Sequence, residues 1–194
     1  YSNPYRKEDK VMNKIIAIVG MCGSGKSIAT DILVNKGYEK VYFGGVTMDK
    51  LKEENLEVNP QNEKMMREKL RKEYGMAAYA KILLPKILEL SKKSNVVLDG
   101  LYSWDEYQIL ESELKEKFTT IAIVTDKKIR YNRLENRVIR PLTSTEAKER
   151  DLAEINNIAK APPIAYADYY ICNNGSLEEY EKLLNDILLD LERK

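Results

Sequence analysis

Residues 14–27, Lys14-Ile15-Ile16-Ala17-Ile18-Val19-Gly20-Met21-Cys22-Gly23-Ser24-Gly25-Lys26-Ser27, constrain the fold more than any other stretch. From Gly20 onward they match G-x-x-x-x-G-K-[ST], the Walker A or P-loop pattern, at every position. The apolar run before it suits a strand buried on both faces of a parallel sheet. Residues 28–36 continue as a helix, and Gly37 stands where that helix should end. Gly20, Gly23 and Gly25 let the backbone curl so that successive N–H groups face inward, and the following helix turns its positive end to the same point. Such a nest takes the phosphates of a nucleoside triphosphate. Gly20, Cys22, Gly23, Ser24, Gly25, Lys26 and Ser27 are therefore the predicted nucleotide loop, Lys26 reaching the β- and γ-phosphates and the Ser27 hydroxyl ligating Mg²⁺. The competing reading, a glycine-rich turn that fits by chance, loses ground to the flanking strand and helix.

Composition narrows the class. At 194 residues the chain makes one domain with a sizeable core, and 43% hydrophobic with 32% charged residues describe an ordinary soluble protein. Lys+Arg of 32 against Asp+Glu of 31 gives a net charge of +1, so no global field favours nucleic acid or an anionic membrane. Cys22 and Cys172 are too few for a disulfide framework or a metal cluster; Cys172 lies in an apolar run and is expected in the core. The absence of histidine excludes histidine-based acid–base catalysis and most zinc sites. No apolar run reaches membrane length and no signal peptide is visible, so the expected compartment is the cytoplasm. Residues 1–11 are polar and aperiodic and are set apart as a loose tail or as added residues, with Met12 a candidate natural start; residues 12–194 form the expected single domain.

Beyond the loop, Glu39 to Phe43 reads as a second strand, broken by Gly44-Gly45 at the edge where open α/β sheets bind ligands. Val46 to Asn62 reads as a mobile segment with a short helix; of its acidic residues Asp49 lies nearest the strand end. Residues 62–74 are helical, and Arg67 and Arg71, spaced i, i+4, either grip one anion or form surface ion pairs. The next helical run, from Ala77 to Leu88, contains Pro85, which is expected to interrupt or kink it. Asn95 to Asp99 is an apolar strand ending in a carboxylate, the Walker B arrangement, in which Asp99 would hold Mg²⁺ across from Ser27; the alternative is an Asp that caps the next loop.

Ser103-Trp104-Asp105-Glu106 opens a helix with a capping box. Thr119 to Thr125 is a fourth strand. A helix from Lys127 follows, with Ile129, Leu134 and Val138 facing inward and Arg130, Arg133, Arg137 and Arg140 outward, either as a lid over transferring phosphates or as a solvated basic face. Thr143-Ser144-Thr145-Glu146 starts a helix carrying Arg150 and Asp151 that extends the lid and ends at Ala161-Pro162-Pro163. Tyr166 to Cys172 is the fifth strand, and Ser176 caps a final amphipathic helix. Five strands alternating with helices make an α/β fold, a three-layer α/β/α sandwich with a five-stranded parallel sheet and a small helical lid. The acceptor-binding segment spans about residues 44–93 and the lid about 130–161.

No N-K-x-D or D-x-x-G motif marks a small GTPase, and nothing suggests the second domain expected of an AAA-type motor. From Lys14 onward the chain resembles the P-loop nucleoside monophosphate kinase superfamily, and within it dephospho-CoA kinase-like and adenylate kinase-related proteins. The resemblance is carried by residues 20–27, Leu98-Asp99-Gly100, Arg133-Leu134-Glu135-Asn136-Arg137 and residues 167–175. It implies ATP as donor, Mg²⁺ as cofactor, a small-molecule phosphoryl acceptor, and Asn174 and Gly175 near the adenine. Such kinases often place an arginine after the second strand to hold the acceptor's phosphate; here stand Gly44-Gly45-Val46-Thr47-Met48-Asp49, so Arg67 or Arg71 substitutes, or the acceptor is not an ordinary nucleoside monophosphate. The expected function is an ATP- and Mg²⁺-dependent phosphotransferase acting on a nucleotide or nucleotide-like acceptor, with Lys26, Arg133 and Arg137 catalytic and Asp49 the base if the acceptor is a hydroxyl. The alternative is a nucleotide-responsive ATPase or binding protein that regulates a partner. Oligomeric state is left open.

Overall fold

Strand β1 (Ile15–Val19) is buried at every residue, and its side chains feed two different core layers. The pleat sends successive side chains to opposite faces. Ile15, Ala17 and Val19 therefore join one apolar cluster, while Ile16 and Ile18 join another. The computed structural model describes residues 12–193, so the expectation about residues 1–11 falls outside the described residues.

After β1 come α1 (Lys26–Asn35), β2 (Glu39–Tyr42), α2 (Gly45–Glu53), α3 (Pro60–Tyr74) and α4 (Ala78–Ser91). Then follow β3 (Val96–Asp99), α5 (Trp104–Leu114), a 3₁₀ turn (Lys115–Lys117) and β4 (Phe118–Val124). The chain ends with α6 (Lys127–Asn136), α7 (Ser144–Ile158), a short α8 (Ala161–Ala165), β5 (Tyr169–Cys172) and α9 (Leu177–Glu192). The sheet is wholly parallel in the order β2-β3-β1-β4-β5. All five expected strands are present, and helices cover both faces. Val41, Val96, Leu98 and Ala122 pack beneath α2 to α5, while Val97, Ile121, Ile123 and Ile171 pack beneath α1 and α9. Each large aliphatic buried there stabilises by about 1.5–3 kcal/mol.

Connections leave β1 toward one edge of the sheet and β3 toward the other. The carboxyl ends of β1 and β3 thus border the crevice in which open α/β sheets hold ligands. Helix starts are fixed by side-chain caps: Asn59, Ser103, Thr143 and Ser176 accept from the backbone N–H three residues on, and Thr143 and Ser176 complete reciprocal capping boxes.

Four expectations need correction. Cys172 is exposed, because β5 is an edge strand that turns only Ile171 fully inward. Pro85 does not break α4, which runs through it from Ala78 to Ser91. Val138 is 97% exposed, because α6 ends at Asn136 and leaves residues 137–143 as a loop. Ala161-Pro162-Pro163, read as a helix stop, instead opens α8, with the prolines in its first turn where their missing N–H groups are harmless.

Candidate active site

The loop between β1 and α1 is held by its carbonyls. Asn173 Nδ2 and Thr125 Oγ1 donate to the Ser24 carbonyl at 2.9 and 3.1 Å. Tyr180 Oη donates to the Gly25 carbonyl at 2.9 Å, and Arg130 Nη1 to the Cys22 carbonyl at 2.9 Å. With the carbonyls tied to β4, α6, β5 and α9, the N–H groups are left for a guest. Among the described residues those of Cys22, Gly23, Gly25, Lys26 and Ser27 donate to no protein acceptor. Unlike the capped helices, α1 begins with no side-chain cap and no acidic residue in its first turn. Its positive end therefore faces the same space as the free N–H groups. Gly25 is required on two counts: its φ of 98° is left-handed, and the Asn173 amide occupies the place of a Cβ.

Lys26 folds back onto the loop, Nζ donating to the Met21 carbonyl at 3.2 Å. Burial, and after it the charge of Lys160, hold its ammonium at about 8 instead of 10.5. Lys160 is only 3% exposed and was not anticipated from sequence. Its Nζ lies 2.6 Å from Glu154 Oε2 and 5.1 Å from the centre of the Tyr102 ring. Glu154 also accepts from Arg150 Nε at 3.2 Å. Burial opposes ionisation of Glu154, but Lys160 and Arg150 overcome it and hold its pKa below the ordinary value. One carboxylate is thus shared by two cations facing the phosphate loop.

The arginines of α6 and the loop after it divide by what they touch. Arg130 is buried and makes two bonds to Asp151, 2.7 and 3.1 Å, pinning α7 to α6 and to the loop. It is a structural pillar and not the outward phosphate group expected. Arg133 donates to the Asn173 carbonyl at 3.0 Å, and its Nη1 is buried without a partner. It therefore sits beside the β5–α9 turn that contains Asn174 and Gly175. Asn174 accepts from the Asp126 backbone at 2.9 Å, and both Asn174 and Gly175 are exposed. Arg137, Arg140 and Arg150 line an open cavity of about 540 Å³ with Val138 and Ile139. Arg140 Nη2 reaches Glu63 Oε1 at 3.6 Å, so the loop after α6 touches α3.

Register pairs Ile18 with Asp99, which places the Asp99 carboxylate beside the end of β1, 3.1 Å from Lys40 Nζ. Ser27 is exposed, with no hydrogen bond from its hydroxyl among the described residues. No group of three or more metal-ligating side chains occurs among the described residues. A hydroxyl and one carboxylate fit Mg²⁺, which keeps waters and takes phosphate oxygens in place of a full protein cage.

On α3, Arg67 Nη1 lies 3.9 Å from Glu63 and is partly exposed. Arg71 stacks over the Tyr79 ring at 5.8 Å, with its Nε buried and unpartnered. Tyr79 Oη and Thr47 Oγ1 are 2.7 Å apart. Asp49 is exposed on α2 and pairs with nothing among the described residues. Lys160, Glu154, Tyr102 and Tyr79 escaped sequence reading, and Glu106 was read only as part of a helix cap; Tyr102 follows the end of β3 and Glu154 and Lys160 fall within residues 130–161, but Tyr79, inside α4, carried no signal.

The nest at the end of β1 and the parallel sheet that holds it define a P-loop NTPase domain. A family model described as "AAA domain" matches residues 16–156. A UPF0200 protein of Thermococcus gammatolerans is 33% identical over 178 residues, covering 90% of this chain and 93% of the relative. The chain belongs to the UPF0200 family. Its fold is that of P-loop kinases. Dephospho-CoA kinase from Campylobacter jejuni superposes with a TM-score of 0.60 at 16% identity, covering 94% of this chain and 98% of that one. A gluconokinase from Sinorhizobium meliloti gives 0.59 at 13%, covering 94% and 95%. No helix among the described residues is long and apolar enough to cross a membrane.

Proposed function

We propose that the chain is an ATP- and Mg²⁺-dependent phosphotransferase acting on a nucleotide or nucleotide-like small molecule. The observation that carries this reading is the convergence of charge on the phosphate loop. Lys26, Lys160 and Arg150 face it with Glu154 between them, and Arg150 also lines an open cavity with Arg137 and Arg140. A pocket so rich in cations, two of them lysines that repel each other, is complementary to a triphosphate and to the charge on a transferring phosphoryl group.

In this reading the loop N–H groups and Lys26 bind the phosphates, and Ser27 and Asp99 hold Mg²⁺, which neutralises phosphate charge when bound. Arg133, beside Asn173, borders the base with Asn174 and Gly175, while Arg137 and Arg140 close from the lid. Excluding water from the closed site separates transfer to an acceptor from hydrolysis. Asp49, exposed and unpaired, is retained as base only where α2 turns inward on binding.

The test is ADP release from Mg²⁺·ATP with and without the nucleoside and deoxynucleoside monophosphates and dephospho-CoA. Strong stimulation by one acceptor is expected. Slow release that no acceptor alters would instead favour the partner-regulating ATPase. Loss of ATP binding in Lys26→Ala is expected in both cases.

A further inference from the structure

A cavity of about 560 Å³ lies between α6, α7 and α8 beside β4 and β5, and it shares no residue with the arginine-lined one. Its volume falls in the range of small-molecule sites. α7 turns Lys148, Leu152 and Ile155 to it, spaced i, i+4 and i+7 along one helical face. An apolar stripe at that spacing is ordinarily packed against the core, yet Leu152 and Ile155 stay exposed on the open cavity. Ile164 of α8 and Val124 at the end of β4 continue the apolar wall. Tyr170 adds its ring, the hydroxyl being used on the Ala165 carbonyl.

Four charged side chains line the cavity, and two of them cancel. Asp151 accepts both bonds from Arg130 and a third from the Tyr131 hydroxyl at 3.2 Å, so its carboxylate is engaged within the protein. Lys127 and Lys148, from different helices, remain. Both are exposed, and neither forms an ion pair among the described residues. An apolar hollow edged by two uncompensated cations selects the charge of its guest. An ammonium is repelled by both lysines; a carboxylate is drawn to both, while an apolar body covers Leu152 and Ile155.

Arg130 and Met21 form the wall that the cavity shares with the phosphate loop. Arg130 donates to the Cys22 carbonyl, which points opposite to the Gly23 N–H across a trans peptide. The cavity thus adjoins the carbonyl side of the loop, and a nucleotide takes the N–H side.

We propose that this cavity is a second ligand site, and that its ligand is an amphipathic anion: an apolar chain or ring ending in one anionic group that Lys127 and Lys148 attract. The site is independent of the phosphotransferase reading.

Calorimetric titration of the full chain compares decanoate with decyltrimethylammonium, and 1-naphthoate with 1-naphthylmethylammonium, with and without saturating Mg²⁺·ATP. At least one anion is expected to bind saturably at a single site, roughly tenfold or more tighter than its cationic partner, and to bind still when nucleotide is present. Which anion binds tells whether the body is a chain or a ring. The double change Lys127→Glu with Lys148→Glu is expected to reverse the preference toward the cation and to leave the unfolding midpoint of the ligand-free chain unchanged, since neither lysine is paired. Ala165→Trp, which fills the hollow, is expected to weaken binding at least tenfold. Equal affinity for anion and cation would overturn the proposal. So would a preference unchanged by the double reversal, binding undiminished by Ala165→Trp, displacement by Mg²⁺·ATP, or no saturable binding of either anion.

Discussion

Replacing Lys26 by methionine should make the ligand-free protein more stable while removing its nucleotide site. Methionine keeps an apolar stem and discards the ammonium. In the folded chain burial and Lys160 bring that ammonium from 10.5 to about 8, a displacement worth about 3 kcal/mol at about 1.4 kcal/mol per pKa unit. The sign follows from linkage. Between the folded and unfolded values the unfolded chain binds more protons, so stability rises with pH in that window. The penalty is complete below pH 8 and fades as pH climbs toward 10.5. Urea unfolding of the native chain and Lys26→Met, without nucleotide, should therefore show the variant more stable by about 3 kcal/mol at pH 7. For a chain of this length that is a midpoint rise on the order of 5–10 °C. The gap should shrink to under about 1 kcal/mol by pH 10. Saturating Mg²⁺·ATP should reverse the order, because ligand stabilises only the protein that binds it. A variant less stable than the native chain at pH 7, or a gap independent of pH, would refute the claim that Lys26 is held in a repulsive, desolvated place.

The same lysine governs binding: a triphosphate needs it charged, so ATP affinity should weaken by up to about tenfold per pH unit above pH 8. Titration by fluorescence of a labelled ATP analogue would reveal a flat profile if Lys26 did not titrate there. Asp151→Asn leaves Arg130 buried without its counter-charge, and chemical denaturation should show a loss of about 3–5 kcal/mol, while the double change Arg130→Met with Asp151→Leu should recover most of it. A loss under about 1 kcal/mol for the single variant would contradict the pillar role. Arg133→Ala should raise the KM for ATP with kcat little changed, whereas Arg137→Ala should lower kcat by roughly tenfold or more. Steady-state kinetics showing both constants moving together in both variants would collapse that division of labour.

The features legible in sequence were those written in short-range pattern. The nest at residues 20–27, the five strands and the caps at Thr143 and Ser176 depend on spacing within a few residues. That Asp99 ends a strand beside β1 was readable from the apolar run before it. What stayed hidden depends on contacts between distant segments. Arg130, Arg133 and Arg137 read alike along the chain, yet Arg130 is captured by Asp151, Arg133 by the Asn173 carbonyl, and Arg137 by the Arg140 carbonyl. Lys160 sits where sequence marks only a helix stop, and its burial follows from Glu154 and the Tyr102 ring folding over it. Cys172 was misjudged because an apolar run looks the same in a central strand and in an edge strand.

The strand order also sets a schedule for the newborn chain. β1 pairs only with β3 and β4, through Ile15 to Val96 and to Phe118. A ribosome that has released β1, α1 and β2 has therefore released no two strands that are neighbours in the finished sheet. The apolar stretch from Ile15 to Val19 and the glycine loop behind it must wait, unpaired, until residues 96–124 emerge. Synthesis at about 5–20 residues per second stretches that interval over several seconds, ample time for a chaperone to cover an exposed strand. Nucleotide can stabilise the protein only after the wait is over, because the donors that lock the loop's carbonyls, Thr125, Arg130, Asn173 and Tyr180, are all made later still.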